Sequence, residues 1–149
     1  MSAPSLDGRP HSLAAVQDEI VGEMAALEGP LEKYEYLAGL GRALEAPEPS
    51  IRDEAHAVPG CQSRVWIRSE LRGERLHIQA DGEAMITRGI IALLLRVLDQ
   101  RSPGEIMEAD LFFLDRTGLG AHLSPSRANG LSAMVRRIRQ QAADSLKSV

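Results

Sequence analysis

The chain has 149 residues, of which 44% are apolar and 26% are charged. This composition is typical of one folded globular domain and is too apolar for a disordered chain. The formal charge is −4, and the aromatic residues are one Trp, two Tyr and two Phe. Nucleic acid is therefore excluded as the main partner, because phosphate binding needs clustered cations and base stacking needs aromatic rings.

The chain contains a single cysteine, Cys61. One thiol excludes an intrachain disulfide and a cysteine-based zinc or iron–sulfur site within one chain, so no metal site is predicted. The lack of a disulfide framework predicts a reducing compartment, the cytoplasm. Residues 1–11 are predicted to be a flexible tail without a signal peptide, and the longest apolar run, 90–95, is too short to cross a membrane. Residues 12–149 are predicted to form one domain.

Two helices are predicted in the first third of the chain. After Ser12, a predicted N-cap, apolar residues recur every three or four positions and form one helix face. They are Leu13, Val16, Ile20, Met24 and Leu27. Gly29 and Pro30 end this helix and start a second one. The predicted inner face of the second helix comprises Leu31, Tyr34, Leu37, Gly41 and Leu44.

The hydrophobic pattern changes to alternation over residues 63–67 and 75–80, which predicts two strands. Gly73 lies between them and favours a hairpin. Val65 and Ile67 are predicted to share one face of the sheet. A third strand is predicted near residues 56–58, because a two-stranded hairpin alone is marginally stable.

Helical spacing resumes after Asp81, a candidate N-cap. Ser102 and Pro103 predict the start of a short helix, and another short helix is predicted from about residue 110. A last helix is predicted after Pro125. Its inner face comprises Leu131, Met134, Val135 and Ile138, and its solvated outer face carries Arg136, Arg137 and Arg139. The predicted fold class is α+β, with helices packed on one face of a small antiparallel sheet of about three strands.

Cys61 is the strongest candidate for a functional residue. Pro59 and Gly60 predict a turn just before a strand, so Cys61 is expected on a loop held by a rigid sheet. If the backbone amides of Gly60, Gln62 and Ser63 converge, they would stabilise the reactive thiolate. The alternative is that Cys61 is an inert, buried side chain, as single cysteines often are.

Two sequence motifs resemble those of the SufE family of sulfur acceptors. The first runs from Gly60 through Cys61, Gln62 and Ser63 to Val65 and Trp66, and the second spans residues 122–131. The segments 34–41, 81–82, 89–92 and 102–103 fall between or before them in the order of the family. The resemblance covers roughly residues 30 to 143, and it implies a SufE/NifU-like fold.

The resemblance implies a sulfur-transfer function. Family members take sulfur from the persulfide of a cysteine desulfurase that depends on pyridoxal phosphate, carry it as a cysteine persulfide, and deliver it to an iron–sulfur cluster scaffold. Cys61 would be the acceptor, and pyridoxal phosphate would belong to the partner, so this chain would bind no cofactor of its own. Gly60 would be the hinge on which the loop swings out. A homodimer is left open.

Supporting roles are assigned with their structural alternatives. Arg127, in the first turn of the last helix, would face the cysteine loop or the desulfurase, or else form an ion pair that holds the fold. Asp81 would lie near Cys61 or cap a helix, and His122 would assist ionisation of the thiol or be a structural histidine. Trp66 is expected to pack between the sheet and a helix.

Four other functions are considered. A hydrolytic cysteine enzyme would need a histidine base beside the thiol, and no local Cys/His signature supports one. A cluster scaffold would need more cysteines, and a desulfurase would need a longer chain. The remaining alternative is an interaction module with an inert structural cysteine. We therefore expect an accessory protein that activates a cysteine desulfurase and is not itself an enzyme.

Overall fold

The computed structural model describes residues 11–61, 63–119 and 125–147, without the side chains of 125–127. Within these ranges six α-helices accompany one two-stranded antiparallel sheet, which confirms the predicted α+β class. The elements are α1 (Leu13–Ala25), α2 (Gly29–Ala43), β1 (Val65–Arg72), β2 (Arg75–Gly82), α3 (Met85–Leu98), α4 (Pro103–Glu108), α5 (Phe112–Arg116) and α6 (Pro125–Lys147), with a short 3₁₀ helix at Pro49–Ile51.

Helix α1 forms as its sequence predicts. The Ser12 hydroxyl caps it by accepting a hydrogen bond from the Ala15 amide at 3.1 Å. The predicted inner face is buried from Leu13 to Met24. Gln17 is also buried, and its side chain joins α1 to α5 by donating to the Asp110 carbonyl and accepting from the Phe113 amide.

Helices α2 and α3 cross at two glycines. A Cβ atom on Gly41 would lie 2.2 Å from the Met85 carbonyl oxygen, and one on Gly89 would lie 2.1 Å from the Leu37 carbonyl oxygen. These distances are far inside van der Waals contact, so only glycine permits this approach of the two backbones. The crossing holds α3 against the helical hairpin of α1 and α2.

The predicted inner face of α2 is wrong at its first two positions. Leu31 is 69% exposed and Tyr34 is 54% exposed, whereas Leu37 and Gly41 are buried. The helix contacts α3 through its C-terminal half, where the two glycines meet. The apolar stripe therefore extends beyond the part of the helix that the core covers.

The predicted hairpin is present, and its strands pair with Val65 opposite Gly82 and Arg72 opposite Arg75. Gly73 lies in the tight turn with a left-handed φ of 64°. The predicted third strand is reduced to a single bridge between Ala57 and Trp66. The chain turns away from the sheet just before it, because the His56 amide is hydrogen-bonded to the backbone and side chain of Asp53.

Three consecutive residues of β1, Val65, Trp66 and Ile67, are buried. Val65 and Ile67 join the hydrophobic core, as predicted for one face of the sheet. Trp66 points to the other face, where the Arg52 guanidinium lies 4.7 Å from the centre of its ring. Trp66 is therefore covered by the segment that follows the 3₁₀ helix.

Two predictions about the later helices are wrong. Asp81 does not cap α3, whose N-cap is Ala84 without a side-chain hydrogen bond. In α6, two of the three arginines expected on a solvated face reach back to the protein instead. Arg137 donates to the Ala55 carbonyl at 2.8 Å, and Arg139 donates to the Ala109 carbonyl at 2.6 Å. These bonds fasten α6 to the loops beside it.

The remaining helix signals are confirmed. Ser102 caps α4 by accepting from the Glu105 amide at 3.2 Å, and α5 begins near the predicted position. The inner face of α6 is buried at Leu131, Met134 and Ile138. Across the described part of the chain, no helix combines the length and apolar character that crossing a bilayer requires.

Candidate functional site

Cys61 lies in a loop that is closed at its base by backbone hydrogen bonds. The Val58 amide donates to the Val65 carbonyl at 2.9 Å, and the Ile67 amide donates to the His56 carbonyl at 2.9 Å. These bonds flank the bridge between Ala57 and Trp66 and make the loop the tip of a short hairpin. The loop is therefore anchored at both ends, as the Pro-Gly turn before a strand predicts.

The cysteine rests against the N-terminal half of α6. The thiol of Cys61 is half-buried and lies 3.7 Å from the Gly130 carbonyl oxygen, to which it donates a weak hydrogen bond. A Cβ atom on Gly130 would lie 3.6 Å from the Cys61 sulfur, and one on Gly60 would lie 3.6 Å from the Cβ of Ala133. Gly130 and Ala133, called the α6 contact below, thus let the loop approach the helix closely.

This environment disfavours the thiolate. Burial raises the pKa of the Cys61 thiol above its ordinary value, because the charged form loses solvation. The neighbouring Gly130 carbonyl is an acceptor, so it also favours the protonated thiol. Because the thiolate is the reactive form of cysteine, we expect Cys61 to react slowly in this arrangement.

The loop is connected differently on its two sides. Before the cysteine, Gly60 has a left-handed φ of 89°, which glycine adopts without strain. After it, the Ser63 hydroxyl is 3.3 Å from the Thr87 hydroxyl of α3, and the Arg64 carbonyl accepts from the Glu83 amide at 3.1 Å. The C-terminal side of the loop is therefore tied to α3 and to the end of β2.

Asp81 connects several elements of the fold through its carboxylate. Its buried carboxylate accepts from the Arg52 guanidinium at 2.9 and 3.0 Å, and from Arg88 of α3. Arg88 also donates to the Gly41 carbonyl at 3.0 Å and to the Leu44 carbonyl at 2.7 Å, at the end of α2. The described partners of the Asp81 carboxylate are Arg52, Arg88 and the Gly82 amide, so the structure gives Asp81 a supporting position in the fold.

Three predicted site residues lie partly or wholly outside the described residues. Gln62 and His122 are among them, and of Arg127 only the backbone, in the first turn of α6, is described. Their proposed roles stay predictions. His56 lies at the base of the loop, but its imidazole faces Asp53 at 2.7 Å.

The site contains residues to which the sequence assigned no individual role, although one of them, Gly130, lies within the second SufE-like motif. They are Gly130, Ala133 and Thr87, which contact the loop from helices distant in the chain. A glycine in the middle of a helix is the one local signal, since it costs about 1 kcal/mol relative to alanine and often marks a close approach. Within the described ranges, no group of three His, Cys, Asp or Glu side chains is placed to hold a metal ion.

Replacing Gly130 by alanine should slow alkylation of Cys61 severalfold in the native protein. The added methyl would meet the sulfur at an ordinary contact distance of 3.6 Å and cover it further. It should also stabilise α6 by about 1 kcal/mol through helix propensity. The measurement is the rate of reaction with iodoacetamide, followed by mass spectrometry.

Gly22→Ala is the matched control, because Gly22 is exposed on α1 and a Cβ there would meet nothing within 4 Å. It should give a similar gain in stability and leave the alkylation rate unchanged. Equal alkylation rates in the two variants would show that the loop does not rest on Gly130.

Two comparisons place this arrangement among known proteins. A solution structure described as a hypothetical protein from Thermus thermophilus matches 89% of this chain and 96% of its own, with a TM-score of 0.72 and 21% sequence identity, which shows a shared fold. The SufE family model, described as an Fe-S metabolism associated domain, matches residues 18–142. That match spans most of the chain, including the cysteine loop and the α6 contact, and the chain therefore belongs to the SufE family.

Proposed function

We propose that this chain accepts sulfur as a persulfide on Cys61 from a cysteine desulfurase and delivers it for iron–sulfur cluster assembly. The observation that carries this proposal is the position of its single cysteine. Cys61 stands on an anchored loop and is packed against a glycine of α6, within a family associated with Fe-S metabolism. A purely structural cysteine needs no such loop.

The transfer is a thiol exchange that needs no external oxidant. The Cys61 thiolate attacks the outer sulfur of the donor persulfide, and a new S–S bond forms at Cys61. The S–S bond of the donor breaks, and the donor cysteine leaves as a thiolate that takes up a proton. Pyridoxal phosphate acts in the desulfurase, which releases the sulfur from free cysteine.

The environment of Cys61 supports a role that depends on a partner. Because burial and the Gly130 carbonyl favour the protonated thiol, the free protein reacts slowly with oxidants and other electrophiles. Docking that moves the loop off the α6 contact would expose the sulfur and permit ionisation. Removing the persulfide from the desulfurase would then raise the turnover of that enzyme, so this chain acts as an activator.

The second candidate function is an interaction module with an inert structural cysteine. The half-burial and raised pKa of Cys61 favour it, since they also describe an unreactive thiol. The two candidates differ in one observable, whether Cys61 gains sulfur.

The remaining partners follow from the sulfur-transfer proposal. The recipient is a scaffold on which iron–sulfur clusters are built, and the reducing cytoplasm is the compartment that keeps a lone thiol available. A homodimer would have to leave the cysteine loop accessible to the desulfurase.

Intact-mass analysis tests the proposal. The protein is incubated with a cysteine desulfurase loaded with pyridoxal phosphate and with free cysteine, and the expected result is a mass gain of one sulfur atom that reductant removes. The same mixture without free cysteine is the control. The proposal fails if the mass stays unchanged with each desulfurase of the source cell and Cys61 reacts with iodoacetamide only after unfolding.

A further inference from the structure

The two outer edges of the sheet differ in their backbone hydrogen bonds. The edge of β2 is paired, because the Leu76 amide donates to the Arg101 carbonyl at 2.8 Å and the Leu76 carbonyl accepts from the Gln100 amide at 2.9 Å. The Ile78 amide donates to the Asp99 carboxylate at 2.7 Å. Among the described residues, β1 pairs only with β2 and, at Trp66, with Ala57.

The register shows which backbone groups of β1 face its outer edge. The Val65 carbonyl and the Ile67 amide both bond to the segment 56–58, on the side away from β2. In an antiparallel ladder alternate residues direct their N–H and C=O groups to the same side. The backbone groups of Ser69 and Leu71 therefore also face outward, beyond the point where the segment 53–56 turns away.

A groove lies along this part of the edge. Its volume is about 480 Å³, and it runs between β1 and the C-terminal half of α6. At one end the Gln141 amide donates to the Ile67 carbonyl at 2.9 Å and its oxygen accepts from the Ser69 hydroxyl. Beyond Gln141 the groove follows Ser69 and Leu71 on the strand side and Asp144 on the helix side.

We propose that the outer edge of β1 at Ser69 and Leu71 binds an extended segment of a protein partner as an added strand. An unpaired strand edge is a template for backbone pairing, and the added strand would continue the line begun by Ala57. This inference goes beyond the proposed sulfur transfer and does not depend on it.

The shape of the groove favours an extended segment over a second copy of this chain. The open edge comprises only Ser69 and Leu71 between the Gln141 bond and the hairpin turn. A second copy would bring its own α6 beside its β1 edge, so pairing two such edges at a strand spacing of about 4.8 Å requires room for two helices next to a two-residue edge. A single extended chain has no such obstacle.

The side chains of the groove indicate the composition of the segment. Leu71 offers apolar surface, and Arg68 adds positive charge on the strand side, whereas Asp144 adds negative charge on the helix side. An apolar residue that alternates with a carboxylate fits these contacts. Because the edge offers only a few backbone hydrogen bonds, the affinity should be weak unless the partner also docks elsewhere.

The test uses the full-length, ¹⁵N-labelled protein and a short capped peptide of alternating valine and aspartate. In NMR titration the amides of Ser69 and Leu71 should shift, and a copy of the peptide with N-methylated valines should bind about tenfold more weakly, since it lacks the donors that pair with the edge. Ser69→Pro removes an outward amide that β2 does not use and should weaken binding about tenfold. Ser69→Ala, which keeps the amide and loses only the bond of the hydroxyl to Gln141, should bind more tightly than Ser69→Pro.

Each other outcome overturns the proposal. Equal binding of the two peptides, absence of shifts at Ser69 and Leu71, or wild-type binding by Ser69→Pro would exclude strand addition. Shifts at Ser69 that grow with protein concentration alone would assign the edge to a second copy. If Ser69→Pro fails to fold, the comparison of the two peptides on the wild-type protein tests the proposal instead.

Discussion

Replacing Gly89 by alanine is expected to lower the free energy of unfolding by about 3 kcal/mol or more, a large effect for the addition of one methyl group. The new Cβ would lie 2.1 Å from the Leu37 carbonyl oxygen and 2.8 Å from its carbon, both of them backbone atoms of α2. Because a backbone cannot rotate aside as a side chain can, α2 and α3 must separate. Alanine gains about 1 kcal/mol in helix propensity, which is too little to offset this loss. The measurement is urea unfolding followed by circular dichroism.

Gly39→Ala, on α2, the other helix of this crossing, is the matched control. A Cβ atom there would meet only the end of the Arg42 side chain, at 3.8 Å, so this variant should be as stable as the wild type or up to about 1 kcal/mol more stable. Gly41→Ala should behave like Gly89→Ala, because its Cβ would lie 2.2 Å from the Met85 carbonyl oxygen. Wild-type stability in Gly89→Ala would mean that the two helices do not approach each other closely at Gly89.

The elements of the fold could be predicted from local patterns, but their contacts could not. Ser12 and Ser102 cap the helices that their spacing predicts, and Gly73 lies in the turn of the hairpin. The exposure of Leu31 and Tyr34 depends on where α2 meets α3. That point is set by a pair of glycines far apart in the sequence, which periodicity does not reveal.

Asp81 is a polar residue whose contacts, too, could not be predicted from the local sequence. An aspartate after a strand and before a helix is a good candidate N-cap. In the structure its carboxylate instead meets Arg52 and Arg88, and Arg52 precedes it by 29 residues. The ion pair of the buried Asp81 carboxylate with a distant segment outweighs the local capping preference, and only the three-dimensional arrangement shows which partner is present.

Part of the candidate site could likewise be predicted from the sequence, and part of it could not. The turn residues before Cys61 predict an anchored loop, and the resemblance to the SufE family implies that this cysteine is the sulfur acceptor. The surface on which the loop rests comes from Gly130, which follows Cys61 by 69 residues. A third strand is predicted because a two-stranded hairpin alone is marginally stable, but in the structure helices and Arg52 cover the sheet instead.

Replacing Cys61 by serine should abolish the gain of sulfur from a desulfurase completely, because a serine hydroxyl is not ionised near neutral pH and forms no persulfide. The fold should persist, with a change of about 1 kcal/mol or less in the free energy of unfolding, since the side chain is only half-buried. The measurements are intact mass after incubation with a cysteine desulfurase and free cysteine, and the rate of alanine formation by that enzyme.

The two readouts separate the ways in which this chain could activate its partner. If Cys61 relieves the desulfurase of its persulfide, Cys61→Ser should lose both the sulfur gain and the activation. If the serine variant still activates the enzyme as the wild type does, activation comes from docking alone, and sulfur transfer through Cys61 does not cause it. Gly130→Ala should give an intermediate result, because it keeps the nucleophile but strengthens the contact that the loop must leave. A slower transfer in Gly130→Ala with unchanged transfer in Gly22→Ala would therefore connect release of the loop from α6 to the chemistry at Cys61.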